Sequence, residues 1–171
     1  MVPPQLAPSC NASPDMDRIV QQYGDSLMRI CFLYLKDVYL AQDAVQDTFL
    51  KIYRNYHKFD TNSSEKTWIM RIAINVCKDY LRSAWHRKVN VQEVLDEIPT
   101  HSETHEDDTI LIEIMRLKPH YREVILLFYY QDMKISDIAQ VLGSPESTVS
   151  VRLKRAREQL KKRLEDWYED D

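Results

Sequence analysis

Only two of the 171 residues are glycine. So few leave little material for hairpin turns or phosphate-cradling loops, and an all-β or dinucleotide-binding fold is disfavoured. The apolar residues instead recur at helical spacing. Ile19, Tyr23, Leu27, Ile30 and Tyr34 follow steps of four, four, three and four, which places them on one helix face. Asp37 is the expected N-cap of a second helix with Ala41, Ala44, Val45, Thr48, Phe49, Ile52 and Tyr56 inward. In the turn-rich stretch from Phe59 to Ser64, Asn62 precedes Glu65 by three residues, at capping-box spacing. A third helix then carries Trp68, Ile69, Ile72, Ala73, Val76, Cys77, Tyr80 and Leu81 inward.

These helices predict a first domain over 16–88. It follows a flexible arm, 1–15, that holds four of the seven prolines. Residues 89–107 read as an acidic linker with at most one helical turn near Val91 to Leu95. A second helical domain is expected over 108–165, before an acidic tail, 166–171. Its signals are Ile110, Ile114 and Leu117, a helix start at Pro119, and an apolar run from Tyr121 to Tyr130. The fold class is therefore all-α, two small helical domains joined by an acidic linker. No run of 18 apolar residues exists and the start lacks a signal-peptide pattern, so the expected location is cytoplasmic. Cys10, Cys31 and Cys77 form no C-x-x-C pair; the last two read as buried small hydrophobes.

A formal charge of −4 hides segregation. Residues 16–88 carry 12 basic and 8 acidic side chains; residues 89–107 carry six acids and no Lys or Arg. Between Arg152 and Arg163 seven bases face one acid, Glu158. Affinity for a polyanion follows the local patch, so two basic segments around an acidic connector suggest two nucleic-acid contacts.

The sharpest motif runs from Ile135 to Arg163. Ile135, Ile138, Ala139 and Leu142 line one side of a short helix, Gly143 stands where a left-handed cap is wanted, and Pro145 stops continuation. The next helix, with Ser144 or Ser147 as its cap, has Val149, Leu153, Ala156 and Leu160 inside. This is a helix-turn-helix pattern, whose second helix enters the major groove. Outward or rim residues Thr148, Ser150, Val151, Arg152, Lys154, Arg155 and Arg157 would contact phosphates and base edges.

The segment from Leu117 through Gly143, with Thr148-Val-Ser-Val-Arg-Leu-Lys-Arg-Ala-Arg157, resembles region 4 of bacterial extracytoplasmic-function (ECF, group 4) sigma factors of the sigma-70 family. Residues 41–56 and Trp68 to Arg82 resemble region 2 of the same family. The resemblance implies partnership with core RNA polymerase, through its β′ clamp helices and β flap, and with promoter DNA. It also implies an anti-sigma factor, in many members membrane-anchored. The implied clamp-binding residues are Asp43, Gln46, Asp47, Phe49, Lys51 and Arg54. The implied holders of the melted minus-10 strand are Phe59, Asn62, Ser63, Ser64, Asn75, Lys78 and Arg82, with His86, Arg87 and Lys88 following the duplex upstream. Duplex minus-35 DNA would meet the basic helix. Ser147, Ser150 and Val151 depart from the common family residues, so a minus-35 sequence preference does not transfer.

The competing readings are a helix-turn-helix regulator acting without polymerase and an acidic adaptor binding only proteins. His101 and His105 stand four apart, but in an acidic linker they are read as a mobile chain and not as a metal site. No catalytic residue and no cofactor is expected, since no nucleophile elbow or comparable framework occurs.

Overall fold

The computed structural model describes residues 14–60, 62–83 and 105–169. The regular elements among them are all helical. Helix α1 spans Met16–Leu35; α2 spans Val38–Asn55 and ends in the 3-10 turn Tyr56–Lys58; α3 spans Glu65–Ser83. Helix α4 spans His105–Arg116, and α5, Pro119–Ile125, runs into a π turn, Leu126–Tyr130. Helices α6, Ile135–Leu142, and α7, Glu146–Glu169, complete the order. Residues 105–107, read from sequence as linker, already belong to α4, and α7 continues through 166–169. Cys10, the turn expected at Val91 to Leu95, and His86, Arg87, Lys88 and His101 lie outside the described residues.

Caps explain where the first helices begin. Asp15 accepts from the Arg18 amide at 3.0 Å, and Asp37 accepts from the Leu40 amide at 2.9 Å, as its position in the sequence suggests. The capping box at Asn62 does not form. Ser64 caps α3 instead, its Oγ accepting from the Thr67 amide at 3.0 Å, while Asn62 turns back to Asp60. A serine directly before the helix outcompetes a residue two positions earlier because its oxygen already sits over the free amides.

Helices α1, α2 and α3 pack on one another around Ile19, Leu27, Ile30, Ala41, Ala44, Ile52, Ile69, Ala73 and Cys77, all buried. Each fully buried aliphatic side chain contributes roughly 1.5–3 kcal/mol of hydrophobic stabilisation. Cys31 and Cys77 lie in this core as free thiols; contact with Cys31 and burial push the Cys77 thiol up, so both serve as small apolar groups. Leu81, expected inward, is 37% exposed at the end of α3. In exchange Met70 and Ile74 are fully buried, on a side of α3 adjacent to the one that Ile69 and Ala73 occupy. That side carries Lys66, Met70, Ile74 and Lys78 at steps of four and packs against α6.

In the C-terminal half, Ile138, Ala139 and Val141 of α6 and Val149, Leu153 and Ala156 of α7 are buried. Gly143 adopts φ 62°, and the Ser144 amide closes onto the Ala139 carbonyl at 3.0 Å. Helix α7 opens at Glu146 immediately after Pro145, so Ser147 lies inside the first turn and is not the cap. Pro119 occupies the first turn of α5.

The two glycines separate backbone conformation from space, since a Cβ at either would meet nothing within 4 Å. Gly143→Ala should cost about 1–2 kcal/mol because φ is positive. Gly24→Ala, within α1, should stabilise by about 1 kcal/mol. Chemical denaturation midpoints of the two variants should therefore move in opposite directions.

Candidate nucleic-acid interface

Helix α7 carries two polar faces. Thr148, Val151, Arg152 and Arg155 follow steps of three, one and three, and with Ser147 they line an open cleft of about 560 Å³. His120 and Tyr121, in the first turn of α5, form its other wall, with ring centroids 4.1 Å apart. Sequence reading passed over this pair; the Pro119 helix start was the signal that an exposed first turn stood there. Val151 is 49% exposed, which leaves an apolar side chain between two guanidiniums, a surface suited to a thymine methyl beside phosphates.

The other expected residues of α7 lie apart from that cleft. Ser150 and Lys154 are exposed, with Lys154 4.0 Å from Glu158. Arg157 is turned away: its Nε donates to the Tyr129 hydroxyl at 2.7 Å, and its guanidinium lies over the Phe128 and Tyr129 rings at 5.1 and 5.4 Å. It borders an apolar groove of about 650 Å³ lined by Ile110, Ile114, Ile125, Tyr129, Leu160 and Leu164. Helix α7 thus separates a basic cleft from an apolar groove.

Between α2 and α3, Phe59 packs against Trp68 at 5.4 Å and Tyr56 at 5.9 Å, and Tyr56 meets Trp68 edge-on at 5.9 Å. Beside this half-buried aromatic wall stand the exposed Asn62 and the half-buried Ser63. Ser64 is committed to capping. The wall is anchored by Glu65, which sequence reading treated only as a cap partner. Glu65 receives Arg18 through two nitrogens at 2.6 and 2.9 Å, the Tyr56 hydroxyl at 2.7 Å and the Tyr23 hydroxyl at 3.1 Å. The Arg18 hydrogen bonds hold its carboxyl below the usual range, while burial and then Glu65 push Tyr23 up to about 12. Further along α3, Asn75 and Arg82 are exposed, with Arg82 3.4 Å from Asp79, whereas Lys78 is half-buried against Glu123 at 3.7 Å.

Helix α2 also divides the residues expected on it. Asp43, Gln46 and Arg54 are exposed. Asp47 accepts from the Tyr80 hydroxyl at 2.8 Å, Lys51 pairs with Asp79 at 3.6 Å, and Phe49 is half-buried. Sequence reading missed the exposed apolar residues Tyr39 (73%), Leu50 (50%) and Tyr53 (58%), which share one face with Asp43 and Gln46 at steps of four, three, four and three. A face that is both apolar and acidic has the chemistry to meet a protein surface that is apolar and basic.

No group of three or more His, Cys, Asp or Glu residues suited to a metal, and no helix long and apolar enough to cross a membrane, occurs among the described residues.

Residues 19–87 match the family description Sigma-70 region 2, and residues 110–160 match Sigma-70, region 4. The ECF RNA polymerase sigma factor SigW of Bacillus subtilis (strain 168) is 31% identical over 165 residues, covering 86% of this chain and 88% of SigW. The ECF RNA polymerase sigma factor SigM of the same organism is 29% identical, covering 85% and 93%. Among solved structures, the sigma factor RpoE from Bartonella quintana, in complex with the anti-sigma factor NepR, matches with a TM-score of 0.74 at 22% identity, over 88% of this chain and 97% of RpoE. CnrH, in complex with the cytosolic domain of CnrY, matches with a TM-score of 0.67 at 22% identity, over 88% of each chain. At that identity both are likenesses of fold.

Glu65 generates a pH-dependent prediction. Its folded carboxyl is depressed, so its stabilisation is present above the ordinary carboxylate pKa and lost as pH falls through the lower folded value. Glu65→Gln should therefore cost about 1–3 kcal/mol at neutral pH and progressively less below about pH 4, as measured by denaturant unfolding.

Proposed function

The chain belongs to the extracytoplasmic-function sigma factors of the sigma-70 family, and on that premise we propose how its two helical units share promoter recognition. As a sigma factor it directs promoter-specific transcription initiation with core RNA polymerase. The unit over 16–88 takes the polymerase clamp and the melted minus-10 strand. The unit over 108–165 takes the duplex minus-35 element. The chain acts in the cytoplasm and carries no catalytic chemistry of its own.

The observation that carries this reading is the cleft face of α7. Thr148, Val151, Arg152 and Arg155 stand on a helix whose back is locked by Val149, Leu153 and Ala156, and Gly143 sets its angle to α6. A rigid helix with cations and one apolar residue outward supplies phosphate grip and base-edge contact together. His120 joins this face from α5. Arg157 serves stability through Tyr129, and Lys154 and Ser150 contact the flanking backbone.

On the first unit, the wall of Phe59, Tyr56 and Trp68 gives an unpaired base a stacking surface, with Asn62 and Ser63 as hydrogen-bonding partners. Asn75, Lys78 and Arg82 follow the strand backbone along α3. The α2 face of Tyr39, Asp43, Gln46, Leu50 and Tyr53 meets the β′ clamp helices, where apolar area supplies affinity and Asp43 selects a basic partner. The apolar groove beside Leu160 receives the β flap. An anti-sigma factor, as bound by the Bartonella quintana relative, would control the chain by covering these faces.

Run-off transcription with purified core polymerase tests the reading: the chain should initiate at a subset of promoters. DNA binding without polymerase-dependent initiation would instead identify a simple helix-turn-helix regulator. Arg155→Ala should reduce minus-35-dependent initiation about tenfold with an unchanged melting temperature, since one specific contact is worth about 1–3 kcal/mol. The double variant Leu50→Ser with Tyr53→Ala should weaken core-polymerase capture at least tenfold, and leave mixed-sequence duplex binding by the free chain intact.

A further inference from the structure

We propose that Glu123 is an internal latch: it holds the two units closed on each other and occupies DNA-binding cations of both at once. The inference rests on the functional reading above for what Lys78 and Arg152 do, and on geometry alone for what Glu123 does.

Glu123 lies on α5 and is 7% exposed. One of its oxygens, Oε2, accepts from the Tyr34 hydroxyl of α1 at 2.9 Å and stands 3.7 Å from Lys78 Nζ of α3. The other, Oε1, stands 3.7 Å from the Arg152 guanidinium of α7. One carboxylate therefore joins the first unit to the recognition helix. Around it the seam continues. Lys36 Nζ and the Arg122 guanidinium both donate to the Met115 carbonyl, at 3.0 and 3.2 Å. Ser26 Oγ donates to the Gln131 side chain at 2.5 Å, and Lys66 donates to the Gln131 carbonyl. Met70 and Ile74 supply the apolar floor.

This arrangement is incompatible with promoter engagement. Elements named for positions 35 and 10 lie on the order of 80 Å apart along a B-form axis at 3.4 Å per base pair. Here a single carboxylate spans a cation assigned to each. Binding both elements requires the seam to part, and parting frees Lys78 and Arg152 together. Closure therefore lowers apparent DNA affinity by the fraction of chains that are open.

Small-angle X-ray scattering and titration with mixed-sequence duplex DNA, on the full chain, test the latch. Glu123→Gln removes the charge. Tyr34→Phe removes one interface hydroxyl without touching a DNA-facing residue. Both should raise the radius of gyration and tighten duplex binding about three- to tenfold. If both stay as compact as the wild type, the latch is rejected. It is also rejected if only Glu123→Gln binds more tightly and does so without expansion, because the carboxylate then merely repels DNA. Should either variant lose helical circular dichroism, the wild type decides: the distance between fluorescent labels on the two units should lengthen on saturation with duplex, and an unchanged distance rejects the latch. Absence of run-off transcription by the wild type would reject the functional reading and leave the scattering result standing.

Discussion

Helix α3 is buried on two sides, and most of the architecture follows from that. One side, Ile69, Ala73, Val76 and Cys77, closes the three-helix bundle with α1 and α2. The second, Met70 and Ile74, would leave two large apolar side chains in water unless another element covered them. Helix α6 covers them. Lys66 and Lys78, one turn beyond each end of this stripe, reach Gln131 and Glu123 of the C-terminal half. A floor of buried apolar groups flanked by lysines at both ends fixes the register in which the helix-turn-helix unit meets the bundle.

Electrostatics at that seam decide what closure means for function. A buried carboxylate is costly unless its oxygens are fully occupied, and Glu123 has a hydroxyl and two cations around it. Burial, with Arg122 nearby, brings the Lys36 ammonium down to about 8, so this cation is held where solvent no longer stabilises it well. Lys36 also sits in the left-handed region, φ 58°, a conformation that a non-glycine residue keeps when its surroundings demand it. Lys78 and Arg152, from opposite halves of the chain, are thus neutralised internally by one carboxylate, and parting of the halves would release both.

Much of the fold was legible because its signals are local. The inward set of α1, the Asp37 cap, the Pro119 helix start, the left-handed Gly143 and the buried trio Val149, Leu153 and Ala156 each depend on residues a few positions apart. Legibility failed where one local pattern had two outcomes. Asn62 and Ser64 both offered caps to α3, and the residue adjacent to the free amides took the role. Arg155 and Arg157 looked equivalent on a basic helix, but Tyr129 and Phe128 stand beside one and not the other. Tyr39, Leu50 and Tyr53 fall outside the inward set of α2, and their exposure became evident only where no described element covers that side of the helix.

The amino-acid sequence by itself determined the helices, the turn between α6 and α7, and the family, since spacing and capping act within a turn or two of chain and motifs are read residue by residue. Tertiary structure alone decided which cations are free. Tyr34 meets Glu123 across 89 positions and Ser26 meets Gln131 across 105, and no periodicity reaches that far. Such contacts exist only once apolar burial on the second side of α3 has brought the two halves together, and that assembly places the Glu123 carboxylate between Lys78 of α3 and Arg152 of α7.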